Sequence, residues 1–448
     1  MNQPSERIEP RTLKGFRDFL PQSMMPREAL IETARRVYRS FGFAPIDTPA
    51  LELAEILIGK GGEETDRQLY RFRDPGDRDV AMRFDLTVPL ARFVAQHANE
   101  LGTPFKRYHI ATVWRGESPQ EGRYREFMQC DFDTIGSTSI ATDIETALVI
   151  YDLMRAIGFE QFKIRLNNRK LLNGLLAKVQ LSDHAVSILR AIDKLGKIGV
   201  GGVSDELKRT TPANDDQIRQ LLELVAIKPG QDDVLARMEG LIAGNELGET
   251  GLGQLRQVIR GVKAAGAASD KFVIDVSIAR GLDYYTGTIY ETLLDELPSI
   301  GSVCSGGRYD NLAKLFTNQE LPGVGASLGL DRMLAAMEKL GKLPQVQTPA
   351  DVMIVQFDAE RLGDYLRLAS QLRAAGIGVE LYPDAKKLGA QFKYADRKGF
   401  RAVIVAGANE WAQGVVQIKW LADGSQVEVP VADGAAKVIE MLRPSGAS

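Results

Sequence analysis

Apolar residues recur every three or four positions between Pro26 and Phe41, placing Leu30, Ala34, Val37 and Phe41 on one face of a helix that Gly42 ends. The next ten residues, Phe43 to Glu52, are predicted to be extended, because Pro45 and Pro49 push their predecessors out of the helical region. From Val80 to Ile135 the pattern is one of strands and loops rich in arginine. It closes at Thr142-Asp-Ile-Glu145, a capping box for a helix presenting Ile144, Leu148, Tyr151 and Met154. Between about residues 168 and 265 the chain becomes rich in Leu, Ala, Lys and Glu and almost loses its aromatic residues. This predicts a helical insertion, broken at Gly199-Val-Gly-Gly-Val203 and Lys228-Pro-Gly230. Strands resume at Phe272–Val276, Tyr284–Leu294 and Gly301–Cys304, and Gly323–Arg332 leads into a helix reaching about Leu340. Gly341–Pro349, with two prolines and no periodicity, reads as a linker. Beyond it, strands at Val352–Phe357, Val379–Pro383 and Arg401–Ala406 alternate with helices at Glu360–Ala375 and Ala390–Lys398, predicting a small α/β domain with a largely parallel sheet.

Length and composition narrow the class. A chain of 448 residues suggests two to four domains and can bury a large core without disulfides. Cys130 and Cys304 are its only cysteines, and His97, His109 and His184 lie far apart without ligand spacing, so no structural metal is expected. The polar N-terminus lacks a secretory pattern, and no apolar run approaches the roughly 20 residues that span a bilayer. A cytoplasmic protein that does not enter the membrane is therefore expected. The net charge of −3 announces no nucleic-acid partner globally, so any such surface must be local.

The candidate chemistry lies in three segments. There is no Walker A sequence: Gly59-Lys-Gly-Gly62 has the wrong spacing, and the glycines from Gly323 to Gly329 do not match G-x-G-x-x-G. Phosphates, if bound, must be held another way, and guanidinium grips them in a bidentate fork. Arg115, Arg123 and Arg125 flank a turn containing Ser118, Pro119 and Gly122 and offer such a clamp. After the turn, Phe127, Gln129, Asp131 and Asp133 share one strand face, giving one aromatic ring and three polar side chains. A charged surface hairpin has the same pattern. Ala279 to Glu291 carries Arg280 beside Tyr284 and Tyr285, which suits a polar ring or an ordinary aromatic strand. In Met82–Pro89, Asp85 and Thr87 would share a strand face.

Together, in this order, the segments resemble the class II aminoacyl-tRNA synthetases, and among them the histidyl-tRNA synthetase family. Phe41-Gly-Phe43 through Thr48-Pro-Ala-Leu-Glu52 looks like motif 1, with its central Pro49. Arg115-Gly-Glu117 through Gly122-Arg-Tyr-Arg-Glu-Phe127 looks like motif 2, and Gly325-Ala-Ser-Leu-Gly-Leu-Asp-Arg332 like motif 3. Arg280-Gly-Leu-Asp-Tyr-Tyr285 and Ser305-Gly-Gly-Arg-Tyr-Asp310 are similar to the two signatures of the histidine enzyme, and Lys14-Gly-Phe-Arg-Asp18 to its entry sequence. The resemblance implies an α+β fold. A class II catalytic domain at 1–338 would have an antiparallel-sheet core and a helical insertion at about 168–265. A linker at 339–350 would join it to an α/β anticodon-binding domain at 351–448.

It also implies an enzyme that activates L-histidine with ATP and magnesium and loads it onto tRNA(His). Arg115 and Arg280 would grip the α-phosphate as the catalytic pair and meet the histidine carboxylate. Arg123 and Arg332 would hold the γ-phosphate, while Glu117 and Phe127 place the adenine. Asp85 and Thr87 would take the α-ammonium, and Gln129, Asp133, Tyr284, Tyr285 and Tyr309 would line the pocket and read the imidazole. Asp85 and Asp133 stand where some members carry glutamate. Motif 1 implies a homodimer. Lys386, Lys387, Lys393, Arg397, Lys398 and Arg401, against Asp396, give the tail a local charge of +5, a phosphate-facing patch or a solvated helix face. The rival within the resemblance is a non-catalytic regulatory subunit of histidine biosynthesis.

Overall fold

Two long alternating runs on either side of the arginine-flanked turn pair to make the centre of the fold. In a computed structural model describing residues 8–59, 66–230, 232–278, 284–344, 348–356 and 358–442, Phe105–Trp114 (β5) and Glu126–Ile135 (β6) pair antiparallel along all ten residues. Beyond β6 lie Gly323–Gly329 (β11), Cys304–Tyr309 (β10), Thr288–Leu294 (β9) and Phe162–Asn168 (β7), each antiparallel to its neighbour. Ala44–Pro45 (β1) and Phe272–Ile274 (β8) close the two edges as short parallel strands. The order is β1-β5-β6-β11-β10-β9-β7-β8.

Alternation gives this sheet one dry face and one open face. On the dry face Cys130 and Phe132 are fully buried beneath the helix Pro21–Ser40. The Tyr38 hydroxyl from that helix donates to the Cys130 carbonyl at 2.8 Å. The helix Ile140–Ile157 extends the cover, and the Tyr290 hydroxyl donates to its Asp143 carbonyl at 2.8 Å. Arg308 adds a buried ion pair to the Asp143 carboxylate, with its Nε 3.1 Å from Oδ2. This arginine of the Ser305–Asp310 signature therefore secures the sheet to a helix start and does not face the open side.

Several expectations are corrected. The arginine-rich block is not all strand and loop: Asp79–Met82 (β4) pairs with Leu51–Leu53 (β2) and Arg71–Arg73 (β3), after which Thr87–Leu101 is helical. Asp85 and Thr87 thus do not share a strand face. Pro89 is tolerated because it sits in the first turn, where its missing N–H has no intrahelical partner to lose. Asp85 Oδ1 accepts the Val88 N–H at 3.1 Å and so helps start the helix. Thr142–Glu145 is not the cap of its helix: Ser139 is, accepting the Ala141 N–H at 3.3 Å. The Thr142 hydroxyl instead donates back to the Ser139 carbonyl at 2.7 Å. The strand after Gly301 begins at Cys304 and runs on through Gly306 and Gly307.

The insertion is helical from Arg169–Lys178 to Glu246–Ala264. Its glycine break is a kink at Gly199, φ +69°, inside the helix Leu195–Thr210. The second compact unit, which gathers Phe19–Pro26 with the chain from Pro344 onward, has a mixed sheet, which corrects the largely parallel expectation. Val379–Leu381 (β13), Val352–Ile354 (β12) and Ala402–Val405 (β14) are parallel. Val415–Trp420 (β15) and Gln426–Pro430 (β16) then add antiparallel. Residues 1–7 of the polar N-terminus, 60–62 of the Gly59–Gly62 run, 279–283 including Arg280, 345–347 of the linker, and Phe357 lie outside the described residues.

Candidate active site

The open face of the large sheet holds a cavity of about 490 Å³. Around it stand Asp85, Thr87, Arg115, Glu117, Arg123, Phe127, Gln129, Asp133, Tyr284, Tyr285, Tyr309 and Arg332. These are all the residues assigned to the histidine and ATP sites except Arg280, which lies outside the described residues. Three distant segments meet there because β6, β10 and β11 are neighbours and the Asp85–Thr87 bend reaches over them.

One end is arginine-lined. Arg115 donates from Nε to the Phe84 carbonyl at 2.9 Å and holds its guanidinium 5.1 Å from the Phe127 ring centre. Arg332 donates to the Ser302 carbonyl. Burial, and then the positive charges of Arg123 and Arg115 against the help of Glu117, bring the pKa of Arg332 down to about 10. Cations this crowded favour an anionic ligand. Arg125 does not join the clamp: its Nε donates to the Glu117 carbonyl at 3.0 Å and its Nη1 to the Lys14 carbonyl at 3.4 Å. It ties the turn to the entry sequence instead. Asp331, beside Arg332, accepts from Arg17 and Arg27 and from the Met128 N–H, the last at 2.9 Å, fixing the start of the motif 3 helix against β6.

The other end is a buried acidic floor. Tyr284 meets Tyr285 and Tyr309 edge to face, with ring centres 5.0 and 5.8 Å apart. The Tyr309 hydroxyl donates to Asp133 Oδ1. Gly325, opposite Asp133 on β11, is required here, because a Cβ would lie 2.2 Å from Asp133 Oδ1. Burial pushes the Asp85 carboxyl up to about 6, against the Val88 N–H, Arg115 and Arg107. Burial likewise raises Asp131 to about 7, opposed by Arg107 and reinforced by Asp133.

Two members of this floor were missed as site residues. Asp131 stands on the alternating face recognised from the sequence, but no family motif gives it a role. Arg107, fully buried and opposite Asp133 on β5, puts Nη2 2.6 Å from Asp133 Oδ2. Only the strand register reveals that pairing. Among the described residues no group of three or more His, Cys, Asp or Glu side chains could hold a metal.

The tail residues belong to the second unit. Lys386, Lys387, Lys393, Arg397 and Lys398 are all exposed on or just before the helix Leu388–Lys398. Arg397 and Lys398 lie 5.9 and 5.8 Å from the Tyr394 ring centre, and Lys386 lies 3.0 Å from Asp384.

A six-strand antiparallel core with a closed polar pocket at one end and an arginine-lined mouth at the other is the framework of a class II synthetase. Comparison with known proteins agrees and narrows it. The histidyl-tRNA synthetase family model matches residues 15–333, and an anticodon-binding domain model matches residues 351–441. A histidine–tRNA ligase from Rhodopirellula baltica is 60% identical over 422 residues, 94% of this chain and 96% of that protein. The crystal structure of histidyl-tRNA synthetase from Nostoc sp. PCC 7120 superposes with a TM-score of 0.88 at 38% identity, covering 97% of this chain and 100% of that one. A Bacillus halodurans structure, described as an ATP phosphoribosyltransferase regulatory subunit/histidyl-tRNA synthetase, shares the fold at a TM-score of 0.73 and 24% identity, covering 87% of this chain and 97% of that one. The chain belongs to the histidyl-tRNA synthetase family.

Proposed function

We propose that this protein is a histidine–tRNA ligase acting in the cytoplasm. The observation that carries this reading is the meeting, in one cavity, of a buried acidic floor and a cluster of arginines with too few counter-charges. The first suits an ammonium and a ring N–H, the second a triphosphate. In the first step the histidine carboxylate attacks the α-phosphorus of ATP and pyrophosphate leaves, giving histidyl-adenylate. In the second the terminal 3′-hydroxyl of tRNA(His) attacks the acyl carbon and AMP leaves. Chemistry of this kind needs alignment and charge neutralisation more than covalent help. Arg115 is assigned to the α-phosphate, with Arg280 given the same role by the family signature alone, Arg123 and Arg332 to the far phosphates, and Glu117 with Phe127 to the adenine. Asp85 and Thr87 receive the α-ammonium, and Gln129, Asp133 and the three tyrosines enclose the side chain.

Magnesium fits this site as a passenger of the nucleotide. Glu117 and Glu291 line the cavity close enough to Arg332 to oppose the lowering of its pKa, so carboxylates stand at the phosphate end. The ion would neutralise phosphate charge, held mainly by phosphate oxygens and water.

The test is histidine-dependent exchange of labelled pyrophosphate into ATP, with the other amino acids as controls. Exchange with histidine alone is expected; none with any amino acid from folded protein would favour the regulatory-subunit reading.

We place the catalytic domain at 1–338, the linker at 339–350 and the anticodon-binding domain at 351–448. The tail patch is assigned to tRNA phosphates. Lys393→Glu with Arg397→Glu is expected to raise KM for tRNA by about 10-fold or more while leaving pyrophosphate exchange unchanged. Equal losses in both assays would remove that assignment. A homodimer accords with Leu51, Leu53 and Phe72, which leave large apolar side chains 44–45% exposed on the small sheet around motif 1. Sedimentation as a stable micromolar monomer would refute it.

A further inference from the structure

Between the strand ends at Trp114 and Glu126 the motif 2 turn leaves the sheet and carries Arg115, Glu117 and Arg123 to the cavity. The turn closes on itself at its base and near its tip. The Arg115 N–H donates to the Arg125 carbonyl at 2.9 Å, and Gln120 and Arg123 exchange N–H bonds at 3.0 and 2.9 Å. These bonds fix the shape of the turn but not the direction in which it points over the sheet. That direction is set from outside. On one flank the Gly116 N–H donates to the Gln68 carbonyl at 2.8 Å, and Glu121 lies 2.8 Å from Lys339 of the motif 3 helix. On the other stands the entry sequence Lys14–Asp18, none of whose side chains lines the cavity.

The entry sequence meets the turn chiefly through Arg125. The Arg125 N–H donates to the Gly15 carbonyl at 2.9 Å, and its guanidinium bridges the Lys14 and Glu117 carbonyls at 3.4 and 3.0 Å. One side chain thus joins residue 14 to the backbone of a residue that lines the ATP end. Gly15 is shaped for this contact. Its φ is +88°, and a Cβ there would lie 2.8 Å from Arg125 Cγ and Cδ and 3.0 Å from Pro119 Cγ. Phe16 meets Tyr70 edge to face, with ring centres 6.0 Å apart. The Arg17 guanidinium lies 3.7 Å from the Tyr124 ring centre and donates to Asp331, the neighbour of Arg332 in motif 3. Four consecutive residues therefore bind together the two segments that supply the phosphate-end arginines.

We propose that the entry sequence is a strap that holds the motif 2 turn in its ATP-binding shape, with Gly15 and Arg125 as positioning residues for the nucleotide. The proposal rests on the ligase reading of the site. A turn already held in place spends none of the nucleotide's binding energy on ordering itself, whereas a released turn imposes that cost on ATP. Histidine is spared, because the acidic floor stands on β6 beyond Phe127 and on the Asp85–Thr87 bend, which the strap does not touch. Arg115 is held separately by the Phe84 carbonyl.

The experiment measures KM for ATP and for histidine in pyrophosphate exchange with the full-length wild type, Gly15→Ala, Arg125→Ala, Arg125→Lys and the double alanine variant. Gly15→Ala and Arg125→Ala are each expected to raise KM for ATP about 10-fold, with KM for histidine within about twofold of wild type. KM does not depend on how much of the protein is folded, so a purely structural loss would lower the saturated rate and leave KM in place. Gly15→Ala changes no charge, which separates positioning from simple attraction of phosphate. Arg125→Lys should rescue little, because one ammonium cannot bridge two carbonyls. The double variant should resemble the worse single variant, since both substitutions break one contact. An unchanged KM for ATP in both single variants, an equal rise for histidine, or full recovery with lysine would overturn the proposal. Should Gly15→Ala not fold, the two Arg125 variants still decide it. A wild type without histidine-dependent exchange would remove the function itself, whereas an active wild type matched by both single variants removes only this inference.

Discussion

Arg115→Ala is expected to lower histidine-dependent pyrophosphate exchange by about 100- to 1000-fold while leaving the fold intact. The side chain is held before any ligand arrives: its Nε–H is committed to the Phe84 carbonyl at 2.9 Å and its plane is stationed by the Phe127 ring. That leaves the terminal nitrogens to face the cavity without reorganising during the reaction. Charge on the α-phosphate changes most in the transition state, so kcat should fall more than KM for ATP rises. Lysine should rescue little, because a single ammonium cannot keep both the carbonyl contact and a bidentate grip. Among the described residues the partly buried guanidinium makes one hydrogen bond, to the Phe84 carbonyl, so the melting temperature should move little. Exchange within threefold of wild type would show that the clamp does not include Arg115.

The clamp was legible in the sequence because its parts are local: a turn with Gly122, flanking arginines, and an alternating strand after it. The acidic floor was legible only in part. Asp131 and Asp133 declare their shared face by spacing, but the partners of Asp133 are Arg107 and Tyr309, which reach it from β5 and from β10. Pairing across antiparallel strands is a matter of register, which the chain does not display locally. The helix Thr87–Leu101 was misread for a related reason. Val88-Pro-Leu-Ala91 is a short apolar run, and its period does not separate a strand from a buried helix. Gly306 and Gly307 hid β10, since glycine is depleted in strands unless another backbone comes close.

That close approach yields the largest structural effect. Gly306→Ala is expected to destabilise the catalytic unit by about 3–5 kcal/mol and to abolish exchange. A Cβ at this position would lie 2.1 Å from the Gly325 carbonyl oxygen and 2.5 Å from the Ala326 Cα. Both are backbone atoms of β11, so no rotamer change relieves the clash. β11 cannot retreat either, because it is paired on its far side with β6 from Gln129 to Ile135. β10 is held from behind by β9, where Gly306 stands opposite Tyr290. The strain must therefore open the sheet where it forms the pocket floor, and loss of activity should exceed what the fraction of folded protein accounts for. Thermal melting followed by near-ultraviolet circular dichroism checks this, with Gly253→Ala as the control. Gly253 lies in the helix Glu246–Ala264 with nothing within 4 Å of a built Cβ, so there the added methyl should stabilise by about 0.5–1 kcal/mol. The same chemical change thus acquires opposite signs at two positions of one chain, and equal melting shifts for the pair would deny the close contact between β10 and β11.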